Sequence, residues 1–217
     1  MKQNTDNFDL DCRRCGRLSA FLDDIGQQYP DYHARPVEAF GAASPDLLIV
    51  GLAPGMHGAN ATGRPFTGDH AGILLYETLF KFGFSNRPES VSAKDKLTLK
   101  KCRITNAVKC LPPQNKPTGE EINTCNYFLQ NELQSLRNGA IVMALGSIAH
   151  NAVIKAYGLR QKLFPFGHNQ VHQLNPQRTL IDSYHCSRYN TQTKRLTTDM
   201  FHDVFRTINK QLKRKSK

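Results

Sequence analysis

Two pairs of cysteines carry the plainest chemistry in the chain. Cys12 and Cys15 are separated by two residues, the bite with which two thiolates of one turn reach a single metal centre. Cys110 and Cys125, separated by fourteen residues, bracket a proline-rich turn and the start of a helix, so folding could bring them to the first pair. Four thiolates suit tetrahedral zinc or a [4Fe-4S] cluster, and spacing does not choose between them. Four unrelated buried thiols are the plain alternative. Cys102 and Cys186 lack a short-spaced partner and are read as free. The polar, acid-containing start, Met1 to Asp11, reads as neither a secretory leader nor a transit peptide. The expected compartment is therefore the reducing cytoplasm, without disulfides.

A second group of reactive residues follows short apolar runs. Gly51, Gly55, Gly58, Gly63, Gly68 and Gly72 lie close together and let backbone amides approach a ligand. No nucleotide cofactor is expected there, because the Gly-Lys-Ser/Thr ending and the dinucleotide fingerprint are both missing. Phe66 could stack on a base, although a core phenylalanine is the commoner case. Asp69 precedes an apolar helical run and is either a helix cap or an acid available for chemistry. Asn106 offers an amide donor and acceptor, with bonding to a turn or strand end as its alternative. His185 lies in Ser183-Tyr-His-Cys-Ser-Arg188, and a lone histidine after a strand is more often structural than catalytic.

These side chains need elements to hold them. Apolar runs at Leu47 to Val50, Arg103 to Val108, Ala140 to Leu145 and Thr179 to Ser183 read as strands buried on both faces. Helical patterns at Ala71 to Phe82, Thr118 to Leu136 and Ser147 to Tyr157 alternate with them, the last stopped by Gly158. A final helix, Thr197 to Leu212, begins with Thr198 and Asp199 as caps and carries Phe201, Val204, Phe205 and Ile208 on one stripe. The alternation predicts a single three-layer α/β/α domain over 1–217 with a central four-stranded parallel sheet. In such sheets ligands bind beyond the carboxyl ends of the strands, which is where the glycine loop, Asn106, Gly146-Ser147 and His185 fall.

Charge narrows the partner. Twenty-nine Lys and Arg against eighteen Asp and Glu leave +11, and the tail 210–217 holds five cations and no acid. The body stays basic without its tail, which suggests a polyanion, nucleic acid ahead of a membrane surface. No apolar run is long enough to cross a bilayer.

Taken together, Cys12-x2-Cys15 with Cys110-x14-Cys125, Gly51-Leu-Ala-Pro-Gly55 followed by Thr62-Gly-Arg-Pro-Phe-Thr-Gly-Asp69, Thr105-Asn106 and Ser183-Tyr-His185 resemble the iron-sulfur uracil-DNA glycosylases over nearly the whole chain. Leu52, where the sister family 4 carries an acid, points to the broad-specificity family-5 branch. The resemblance implies a uracil-DNA glycosylase-like fold and a [4Fe-4S] cluster on the four cysteines, held by segments 1–16 and 110–125. It implies a monomer that acts on DNA containing uracil, or hypoxanthine and xanthine, and hydrolyses the N-glycosidic bond to leave an abasic site. Asp69, Asn106 and His185 would be catalytic, Gly51, Ala53, Phe66 and Asn106 would bind the base, and Gly146, Ser147, Ser183, Ser187, Arg188 and Tyr189 would contact DNA. The cluster would clamp its segments and set Lys109 and Arg14 against DNA. One departure stands out: the family's His-Pro-Ser reads His185-Cys186-Ser187 here, which removes the proline's φ restriction. A non-catalytic damaged-DNA-binding module is the rival reading, and it would not need Asp69, Asn106 and His185 together at strand ends.

Overall fold

The structure, a computed structural model, describes residues 8–215; residues 1–7 of the expected cluster segment and 216–217 of the tail lie outside the described residues. The strands are Phe40–Gly41 (β1), Leu47–Gly51 (β2), Cys102–Asn106 (β3), Ile141–Leu145 (β4), Val171–Asn175 (β5) and Arg178–Ser183 (β6), and they form one sheet in the order β1-β3-β2-β4-β6-β5. The helices are Gly16–Gln28 (α1), Ala59–Thr62 (α2), His70–Lys81 (α3), Gly119–Gln134 (α4), Ser147–Ala156 (α5), Arg188–Gln192 (α6) and Thr198–Lys215 (α7). The four inner strands are parallel, as their two-sided burial predicts. Leu75, Leu79, Phe201 and Phe205 of α3 and α7 cover one face, and Leu129, Leu133, Ala149 and Val153 of α4 and α5 cover the other.

The sheet has six strands, not the expected four. Two antiparallel strands close its edges, and neither carries the pattern of a buried strand. β1 is two residues long, and β5 alternates between buried and exposed positions with His172 and Gln173 at its centre. Helix α1 was likewise not expected. Its stripe of Leu18, Leu22 and Ile25 packs in a third core cluster with Val108, Cys110 and Phe128. At α7 the cap is Thr197, whose Oγ1 accepts from Met200 N at 3.2 Å, so Thr198 and Asp199 belong to the first turn instead. Among the described residues no helix is long and apolar enough to cross a membrane.

Candidate active site

The carboxyl ends of β2, β3 and β6 open into a cleft of about 300 Å³ lined by Leu52, Ala53, Phe66, Asp69, Asn106 and His185, with His70, Asn115, Ser187 and Arg188 also on its walls. Gly51 lies beside Asn106 in the β2–β3 register. A Cβ at Gly51 would stand 2.4 Å from Asn106 Oδ1 and 2.7 Å from Phe66 Cζ, so only glycine lets these two side chains meet. Asn106 is buried, and its Oδ1 has no hydrogen-bond partner. A buried acceptor left open costs free energy, and a donor brought by a ligand would recover it.

Phe66 takes a left-handed φ of 57°, a strained choice for an aromatic residue that its surroundings must enforce. Arg64, buried and paired with half-buried Asp95 at 2.6 Å, also donates to Ala93 O at 2.7 Å. Tyr76 Oη donates to Pro65 O at 2.7 Å, and a Cβ at Gly72 would stand 1.9 Å from Phe66 O. The segment is thus tied on both sides of the ring.

Asp69 is the N-cap residue of α3 by backbone position, yet its side chain makes no cap hydrogen bond. It turns instead into the glycine loop, where Oδ2 accepts from Ala59 N at 3.3 Å. Burial pushes its pKa up, offset in part by that N–H and by His57. A Cβ at Gly55 or Gly58 would stand 2.6 or 1.9 Å from Asp69 Oδ1, so these glycines make room for a carboxylate, not for a phosphate. Gly58→Ala should therefore displace Asp69 and slow base release about 10-fold while leaving DNA affinity unchanged, as single-turnover and binding assays would show.

His185 stands half-buried across the cleft, its ring 6.1 Å from that of Phe66. Burial lowers its pKa to about 4. Asn190 Nδ2 donates to His185 O at 2.8 Å, and Cys186 is fully buried in the core beside Leu196 and Phe201. A buried side chain and an amide clamp thus restrain the position where a proline was expected. Ser187 caps α6, accepting from Asn190 N. Arg188, Ser147 and Tyr189 are exposed near the cleft, and Gly146 lies against His185 with 3.6 Å between its would-be Cβ and that of the histidine. Ser183 is a correction: it is fully buried, and its Oγ donates to Tyr184 O at 2.9 Å, so it presents nothing to DNA.

The four cysteines of the two pairs converge on one small pocket, together with Phe8, Leu18 and Phe128. Cys15 sits at the N-cap of α1 and Cys125 inside α4, and Arg17 ties the two helices through Glu121 at 2.7 and 2.8 Å. Lys109 N donates to Cys125 Sγ at 3.3 Å. Among the described residues, the one set of three or more metal-ligand atoms lying within 4.8 Å of one another is His150, His172 and Asp182; the cysteine sulfurs form no such set. Lys109 is a second correction. It is 1% exposed, with Nζ bonded to Thr105 and, at 2.7 Å, to Glu132, so it cannot meet DNA. Arg14 is exposed, stacked over Tyr127 and Phe128.

The model of the uracil DNA glycosylase superfamily matches residues 38–213. A type-5 uracil-DNA glycosylase of Thermus thermophilus is 45% identical over 198 residues, covering 89% of this chain and 90% of that protein. The chain belongs to this family. Type-5 uracil-DNA glycosylases of Pyrobaculum aerophilum and Mycobacterium bovis are each 40% identical, over 91% and 92% of this chain and 87% and 77% of theirs. Membership makes the chain a DNA glycosylase, a hydrolase of N-glycosyl bonds. For a uracil-DNA glycosylase, His70 and Asn115 are cleft residues that sequence reasoning missed. His70 follows Asp69 directly, and its Nδ1 is buried without a partner. Asn115 follows the Pro112-Pro113 turn with a φ of 57°; that turn, seven residues past β3, is the only signal that could have found it.

Proposed function

We propose that the chain releases uracil, and also hypoxanthine and xanthine, from DNA by monofunctional hydrolysis. The open Oδ1 of Asn106 on the cleft floor carries this reading. Deamination turns an amino group into a carbonyl beside a ring N–H. All three bases therefore present one acceptor and one donor to the Asn106 amide, whose Oδ1 awaits the donor. Phe66 supplies the stacking face, with Gly51 and Ala53 beneath and beside it. As the N-glycosidic bond breaks, charge separates into a cationic sugar and an anionic base. Asp69 orients the attacking water and faces the sugar cation, while neutral His185 donates a ring N–H to the base oxygen. Water is the nucleophile, since Lys109 is engaged with Glu132. Gly146, Ser147, Ser187, Arg188 and Tyr189 are the expected DNA contacts at the cleft mouth.

Cys12, Cys15, Cys110 and Cys125 would hold a [4Fe-4S] cluster. Their convergence on one pocket brings four thiols, the ligand set such a cluster takes, to one centre. The cluster supplies a structural tie between the N-terminal segment and 110–125. The chain acts as a monomer on DNA of the cytoplasm. Its tail cations, Lys210, Lys213 and Arg214, line a separate groove with Phe82, the C-cap of α3. The twelve residues of α3 put that groove about 18 Å from Asp69, away from the cleft.

Incubating the protein with duplexes carrying uracil, hypoxanthine or xanthine, and measuring free base and abasic strand, tests the reading. Release of none of them, or a protein–DNA adduct trapped by borohydride, would overturn it. The pH profile is a sharper check. Burial holds His185 neutral above about pH 4 and raises Asp69 above its ordinary 3.8. Base release should show one acid limb, inflecting above 3.8 and lost in Asp69→Asn, with no inflection near 6.5. Folding stability tied to His185 should be complete above about pH 6.5 and lost as pH falls through about 4. A rate inflection at 6.5 that vanishes in His185→Gln would contradict the neutral histidine.

A further inference from the structure

Behind the His185 segment lies a buried polar group that base release, as described, does not use. Asp182, the residue before Ser183 on β6, is fully buried. Its carboxylate receives His150 Nδ1 of α5 at 2.7 Å, His172 Nε2 of β5 at 3.1 Å, and Gly167 N at 3.3 Å. Its main chain adds two bonds, from Asp182 N to Gln170 O at 3.0 Å and from Asn169 N to Asp182 O at 2.9 Å. Five bonds from three elements meet at one residue.

His150 is held at both ring nitrogens. Its Nε2 lies 2.8 Å from Phe164 O, and its Nδ1 faces the Asp182 carboxylate. A carbonyl only accepts, so Nε2 donates to Phe164 O, while Nδ1 shares its bond with Asp182; neither ring nitrogen is left free. The three side chains have the spacing of a metal site, but both His150 ring nitrogens are already engaged, with Asp182 and with Phe164 O. Burying such a pair costs desolvation that apolar side chains of the same volume would not incur, and a fixed arrangement is what it offers in return. The arrangement it fixes leads to the cleft. His150 N donates to Gly146 O at 3.1 Å, Gly146 N donates to Ser183 O at 2.8 Å, and Gly146, at a φ of 94°, abuts His185.

We infer that His150, Asp182 and His172 are positioning residues for base release: a buried hydrogen-bonded clamp that sets the strand end carrying His185 against Gly146. The inference rests on the role proposed for His185, and the test separates the two. His150→Leu removes the clamp, whereas His150→Asn keeps a donor where Nδ1 stood. Val153→Ala removes buried volume from the same helix one turn along, where Val153 packs in the apolar core and makes no bond to the clamp. Each variant is compared with wild type for single-turnover base release, duplex affinity, melting temperature and the ¹⁵N resonances of the His185 ring. His150→Leu should lose about 10- to 100-fold in rate at unchanged affinity and shift the His185 resonances. His150→Asn should recover most of the rate. Val153→Ala, compared at an equal fraction folded, should keep both rate and resonances.

Equal losses in Val153→Ala and His150→Leu, or unmoved His185 resonances in His150→Leu, would overturn the clamp. If His150→Leu does not fold, His172→Gln against His172→Leu on the edge strand provides the same comparison. A stoichiometric metal lost in His150→Asn would also overturn it. His185→Gln with an undiminished rate would remove His185 from the chemistry, and the clamp is then decided by the ring resonances alone.

Discussion

Asp69→Asn should slow single-turnover base release on the order of 10²-fold, about 2.7 kcal/mol in the barrier, while its melting temperature equals or slightly exceeds that of wild type. Asparagine fills the same space between Gly55 and Gly58 but carries no charge for a sugar cation and takes no proton from water. Stability should not suffer, because the Asp69 side chain makes no cap bond at α3. Its folded pKa is raised above 3.8, so ionisation at neutral pH opposes folding and the amide relieves that cost. For the same reason Asp69→Ala should cost less than the ~1 kcal/mol typical of losing a cap. Calorimetry and rapid-quench rates on both variants decide the matter. A fully active Asp69→Asn protein would leave Asn106 and His185 to carry the reaction.

Cys125→Ala should abolish the visible absorbance of anaerobically purified protein and lower its melting temperature by roughly 10 °C. A tie closing a loop of this length contributes about 4 kcal/mol in chain-entropy terms, and a chain of this size moves about 2 to 4 °C per kcal/mol. Base release should fall with it, because Cys110 lies four residues beyond Asn106 and Asn115 five residues further on. Cys102→Ala is the control. That thiol is fully buried in the core and does not line the cysteine pocket, so the colour should stay. Colourless wild-type protein with stoichiometric zinc would sink the cluster assignment.

The inner sheet was legible because β2 and β4 are buried on both faces and read as unbroken apolar runs, and β3 and β6 keep an apolar centre at Ile104 and at Leu180-Ile181. The edges were not, since β1 is too short to show a period and β5 faces solvent on alternate residues. Glycine spacing marked the cleft but not its reason. Gly51, Gly55 and Gly58 yield to the side chains of Asn106, Phe66 and Asp69, contacts that no local spacing in the sequence announces. Lys109 misled for a related cause. A lysine in a basic chain reads as surface charge, and its neutralising partner Glu132 is twenty-three residues away on α4. The Asp182 group was invisible because its three side chains come from separate elements with no shared spacing.

The convergence of Cys12 and Cys15 on Cys110 and Cys125 also sets a clock on biosynthesis. Cys110 lies ninety-five positions after Cys15. At about 5–20 residues per second of translation, the first pair leaves the ribosome roughly 5 to 20 s before its partners exist. Until then α1 has neither Cys110 nor Phe128 to pack on, and the thiols of Cys12 and Cys15 ahead of it face solvent. Oxidants that spare the finished enzyme should therefore strike the nascent chain, and yield of assembled protein should fall with oxidative stress during synthesis more steeply than the activity of protein already made.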